Sequence, residues 1–131
     1  MNDSDIETLW ETHDFVLSNI VDKEDAVHFF VDNVDKKAAL VEVEAITSDD
    51  FILFCKKALQ DHEDLISLYC KHIHTLKDIV KIKPKNHPKE REVSLGSLNE
   101  LINVTMTLKM ALEESTLNLK GMISEVQRGD F

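Results

Sequence analysis

Residues 51–80 read FILFCKKALQDHEDLISLYCKHIHTLKDIV, and no Gly or Pro interrupts them. Within this stretch Ile52, Cys55, Leu59, His62, Ile66, Tyr69, Ile73, Leu76 and Val80 recur in steps of three and four. That spacing puts them on one stripe of an amphipathic α-helix with a narrow buried seam. A helix from Ile52 to Val80 is about 43 Å long at the α-helical rise. No single turn of a partner covers so long a seam, so other helices must lie along it. The spacing therefore predicts an all-α protein.

The same period continues on both sides. Upstream, Ile6, Leu9, His13, Val16 and Ile20 form a seam widened by Trp10 and Leu17. The capping box Ser4-Asp5-Ile6-Glu7 precedes it, the hydroxyl and the carboxylate each satisfying an orphan backbone N–H. Val27, Val31, Val34, Ala38, Val41 and Ala45 form a second seam, broadened by Phe30. Glu24 and Asp25 would place negative charge on the positive end of that helix. A break is expected at Asn19–Asp22, because Asn tolerates the left-handed conformation that closes a helix. Val41-Glu42-Val43-Glu44 alternates with a strand's period of two, but the longer helical pattern runs through it.

Thr47-Ser48-Asp49-Asp50 supplies the next turn and cap. Pro84 and Pro88 stop the helix that follows and bracket a loop. Downstream, Leu98, Leu101, Thr105, Leu108, Leu112, Ser115, Leu119, Met122 and Val126 make the last seam. It opens at Ser94 or at the second capping box, Ser97-Leu98-Asn99-Glu100, and Gly129 closes it. Gly121 lowers helix propensity inside this span and suggests a close helix crossing. The expectation is one domain over 1–131, an antiparallel four-helix bundle with helices at about 4–20, 22–46, 49–83 and 94–128.

The 131 residues hold 25 Asp/Glu and 15 Lys/Arg, a net charge of −10. The charge is uneven: residues 1–64 carry 17 acids against 5 bases, and residues 65–131 carry 8 against 10. An acidic chain disfavours nonspecific binding to nucleic acid or to an anionic membrane. Its apolar runs fall far short of the roughly 20 residues that span a bilayer. The acidic N-terminus lacks the basic and apolar regions of a signal peptide. Cys55 and Cys70 would sit about 22 Å apart on one helix, too far to pair. Unpaired thiols fit a reducing cytoplasm.

Three glycines form neither a GxGxxG nor a P-loop, and there is no GxSxG, no CxxC and no pair of Glu-x-x-His motifs. No cofactor and no standard hydrolase or oxidoreductase centre is expected. Four constellations remain. His13 and His62 occupy seam positions, where a ring buried in its neutral form would make the fold acid-sensitive. Cys70, His74 and Asp78 fall at i, i+4 and i+8, a spacing that makes them weak candidates for metal ligands. Lys81, Lys83, Lys85, Lys89 and Arg91 make residues 81–91 a candidate docking loop for an anionic group. No aromatic residue interleaves these charges, so stacking of single-stranded nucleic acid is poorly supported.

The fourth constellation is His74-Thr75-Leu76-Lys77. It resembles the core of the histidine phosphotransfer family, in which a His-x-Leu-Lys-Gly stretch lies on a helix of a bundle. Asp78 stands where that family has Gly, and Ile79 and Val80 where it has small residues. The resemblance implies a phosphoacceptor role for His74, with Lys71 and Lys77 one turn to either side. Against that alternative, composition and seams favour an acidic helical interaction module: an adaptor, a chaperone-like binder or an inhibitor. Such a module would meet a basic protein partner through its acidic first half, and a second copy of itself through its two longest helices.

Overall fold

The computed structural model describes residues 3–88, 91 and 95–129. The protein is all-α, and among the described residues there are three long helices rather than four. Helix α1 spans Asp3–Glu42, α2 spans Ser48–Val80 and α3 spans Leu95–Gln127. A short 3-10 turn, Pro84–Asn86, lies in the loop between α2 and α3.

The expected break at Asn19–Asp22 does not occur. Val16, Ile20 and Val27 stay on one buried face across it. The polar residues just beyond it reach α2: Lys23 bonds Asp61 at 3.1 Å, and the Tyr69 hydroxyl donates to Glu24 at 2.7 Å. The residues that follow the expected turn therefore pin a continuous helix to its neighbour. The four-helix expectation is corrected accordingly, since its first two helices are one.

Other boundaries follow local chemistry. Glu42 ends α1, and Glu44 takes a left-handed backbone at φ 60°. Thr47 caps α2: its hydroxyl accepts from the Asp50 N–H at 3.1 Å, and Asp50 accepts from the Thr47 N–H at 3.3 Å. Gly129 adopts φ 80° and donates its N–H to the Val126 carbonyl, as a C-terminal glycine should. The capping box proposed at Ser97 does not open α3, which already begins at Leu95; Ser94 lies outside the described residues. Gly121 marks no close crossing, because a Cβ built there would meet nothing within 4 Å.

α2 is the central element. Its backbone lies close to α1 on one side and to α3 on the other, while the backbones of α1 and α3 stay farther apart and meet through side chains of the shared core. The chain reverses at each connection, so α1 and α3 run parallel to each other and opposite to α2. The buried stripe on α2 is Phe51, Cys55, Ala58, His62, Leu65, Tyr69, His72, Leu76 and Ile79. It is rotated from the expected one, of which Ile52, Leu59, Ile66 and Val80 are only half-buried. Two neighbours cover a wider arc of a helix than one does, which moves the best-shielded line to the middle of that arc.

Three apolar clusters stack along the molecule. Ile6 and Trp10 meet Leu76, Ile79 and Ile82 of the α2 end, with Leu98 and Ile102 of α3. Val16, Ile20 and Val27 pack on Leu65 and Tyr69, where α3 adds Leu112. Phe30 packs with Phe51, Cys55 and Ala58 against Leu119, Ile123 and Val126. Each buried aliphatic side chain of this kind contributes about 1.5–3 kcal/mol.

Candidate functional site

One end of the α1–α2 interface gathers aromatic and titratable groups. His13 stacks on His72 with ring centroids 5.2 Å apart, and Trp10 sits edge-on to both His13 and His87. Arg91 comes back from the basic loop to bond Asp14 and lies 5.1 Å over the Trp10 ring. The Arg91 guanidinium, then burial and His13, act on Asp14, and the net effect holds its carboxyl below the ordinary range. His72 is 2 % exposed, and its Nδ1 has no hydrogen-bond partner among the described residues. Burial, with His13 beside it, lowers the His72 pKa to about 4.

The expected seams contain His13 and His62 but not His72, which is buried. His62 is buried with Nδ1 2.7 Å from the Ala58 carbonyl. A carbonyl only accepts, so Nδ1 carries the proton, and the ring is a satisfied core residue that also meets Phe30 edge-on. His72 was discoverable from its seven-residue spacing to Leu65 and Ile79, both of which are buried. Asp61, buried among α2's polar positions, was also missed. Burial works to raise its pKa, but the hydrogen bonds of Lys57 and Lys23 outweigh that and hold it low.

His74 is exposed and lines a cavity of about 240 Å³ between α2 and α3, together with Cys70, Lys77, Lys109, Met106 and Met110. Lys71 is not part of it; it lines a separate cavity with Lys23 and Asp64 on the α1 side. The two lysines proposed to flank His74 are thus split, and Lys109 of α3 takes the place beside it. Asp78 does not join Cys70 and His74; it pairs with Lys81 at 3.6 Å. Among the described residues no three His, Cys, Asp or Glu side chains converge as metal ligands would. Cys55 is a core thiol, its pKa raised to about 11 by burial. Of the basic loop, Lys83 and Lys85 are exposed, Lys81 is taken by Asp78, Arg91 is folded onto α1, and Lys89 lies outside the described residues.

The largest unexplained feature is apolar surface. Phe15, Leu17, Val21, Phe29 and Val31 of α1 are exposed, as are Leu101, Val104, Leu108, Met110 and Leu117 of α3. Isolated exposed apolar residues are ordinary, but rows of them along two helices are not. None of the described helices is long and apolar enough to cross a membrane. No protein-family model, no curated protein and no solved structure matches the chain.

Proposed function

We propose that this protein is an acidic helical interaction module that presents preformed helix faces to a basic protein partner in a reducing cytoplasm. What carries the reading is the exposed apolar surface on α1 and α3, of which the α1 part lies within the acidic residues 1–64. Apolar side chains supply binding free energy when a partner covers them, and the surrounding acids select the sign of that partner and speed its approach. The two free cysteines are consistent with the compartment. The test is affinity capture from the native host at low and moderate salt. A single basic partner, held stoichiometrically and released as salt rises, is the expected result. Recovery of the protein alone at both salts defeats the reading.

A second reading rests on the exposed His74 beside Lys77 and Lys109. A phosphoryl group on that ring would lie between two cations. Incubation with a phosphorylated receiver domain decides it. The reading requires an acid-labile label on wild type that His74→Gln lacks; equal label on both, or none, ends it.

A further inference from the structure

In a four-helix bundle the fourth helix lies in the groove between the two outer members of such a three-helix set. Here that position is open. Between α1 and α3, Glu24, Val27 and His28 face Leu108, Ala111 and Ser115 over a cavity of about 190 Å³. Leu65 and Tyr69 of α2 form its floor. On a helix, positions seven apart share a face. Stepping by seven from those lining residues extends the groove to Leu17, Val21 and Val31 on α1, and to Leu101 and Val104 on α3. All five are exposed. The stretch from Leu17 to Val31 is about 21 Å long, four turns of a helix laid beside it.

The rims of this groove are mainly acidic. Three or four residues from its wall positions stand Asp25 and Asp32 on α1, and Glu100 and Glu114 on α3, with Lys36 one turn beyond Asp32. No ion pair among the described residues engages any of these four acids. No Lys or Arg occupies the registers of these acids on α1 between 11 and 39, or on α3 between 100 and 121. A second copy would bring the same acids and a net charge of −10 against them. A helix with an apolar stripe and Lys or Arg along both edges matches the groove in shape and in charge.

We infer that the groove between α1 and α3 is a docking site for one basic amphipathic helix of a partner protein, four turns or more in length. The inference rests on the interaction-module reading and assigns it a place and a partner chemistry. The stripe would use apolar residues at i, i+3 or i+4 and i+7 as anchors, the usual geometry of helix-in-groove recognition. Binding would complete the four-helix arrangement that this chain lacks by itself.

The probe is a fluorescent amphipathic Lys/Leu peptide of about 20 residues, titrated by anisotropy at about 150 mM salt, where long-range attraction is damped. The groove variant is Val21→Asp with Leu108→Asp. The comparison variant is Phe15→Asp with Leu117→Asp, which adds the same charge on the outer flanks of the same helices. Circular dichroism confirms that both remain folded. Simple adhesion of a cation to an acid predicts that the groove variant binds more tightly. The docking site predicts the reverse: about tenfold or greater weakening in the groove variant, and less than about twofold change in the comparison variant. Unchanged or tighter binding by the groove variant overturns the site. Loss confined to the comparison variant also overturns it, while leaving the interaction-module reading in place. So does a wild-type dimer in sedimentation that Val21→Asp with Leu108→Asp dissociates, since a second copy would then be the occupant. A wild type that binds this peptide no better than a scrambled one of equal charge removes the site as well, whatever native capture finds.

Discussion

Against α1, the central helix α2 uses polar side chains drawn from far along the chain. Asp61 bonds Lys23 across 38 positions, and Tyr69 bonds Glu24 across 45. His72 lies under His13. Against α3 the tie is of another kind. The cross-helix ion pair there is Lys120 to Glu63 at 3.8 Å, between exposed groups. The buried hydroxyls of α3 turn back on their own helix, Thr105 to the Leu101 carbonyl at 2.7 Å and Thr116 to the Leu112 carbonyl at 2.8 Å. Lys109 occupies the α3 position between Thr105 and Leu112 on the seam and pairs with Glu113 of the same helix. Polar pairs across an interface fix register, whereas apolar packing with self-satisfied hydroxyls holds helices together and specifies alignment less sharply. The α1–α2 side is therefore the one built for register and for pH sensitivity, and the α2–α3 side the one built on packing.

The largest effect expected from this contrast is on the packed side. Leu119→Ala removes a buried side chain from the cluster around Phe30 and Phe51 and should cost 2–5 kcal/mol, roughly, in denaturant unfolding. A loss well below that range would mean that α3 adapts around the cavity.

Next comes pH. The His72 ring has a folded pKa of about 4, below the ordinary 6.5. The unfolded chain therefore takes up a proton first. Stability is fully present above 6.5 and falls as the pH drops toward 4, by up to about 3 kcal/mol. Unfolding midpoints at pH 7 and pH 5 should differ in wild type, and His72→Leu should reduce the difference. Equal pH sensitivity in both proteins would shift the cause to other groups.

Asp61→Asn tests the register device directly. The carboxylate is buried, but Lys57 is largely exposed and Lys23 is a third exposed, so both cations can return to water. The expected loss is about 1–3 kcal/mol at pH 7. Because the Asp61 pKa is held below its unfolded value of 3.8, that contribution should vanish as the pH falls below this value. A difference between wild type and Asp61→Asn that persists undiminished in strong acid would assign the loss to packing.

The smallest effect is a gain. Gly121 has open space around it, so Gly121→Ala should stabilise α3 by up to about 1 kcal/mol in thermal unfolding. A loss would show that the α3 face at this position packs more closely than its surroundings suggest.

Much of the fold can be read locally. Thr47 and Asp50 announce the start of α2, Pro84 its end, and Gly129 the close of α3, each through the conformation of a few adjacent residues. His62 was legible as a core residue because it falls in step with aliphatic neighbours. Asn19–Asp22 was misread because the same local signals mark a helix end or a polar patch within a helix. The deciding contacts, Lys23 to Asp61 and Glu24 to Tyr69, come from the opposite half of the chain. The site residues show the same division. His74 and Lys77 are neighbours by helical spacing alone, but Lys109 joins them only because α3 is laid beside α2.

Consecutive residues alone specify that this chain is helical, where α2 and α3 stop or start to within a few residues, and which half carries the negative charge. Hydrophobic period, caps and breakers act over a turn or two, and they are written in consecutive residues. Tertiary structure alone decided that α1 is one helix, that His72 and Asp61 are buried, and that a groove stays open between α1 and α3. Those outcomes depend on which faces of three rods come together, a choice made by contacts between residues tens of positions apart.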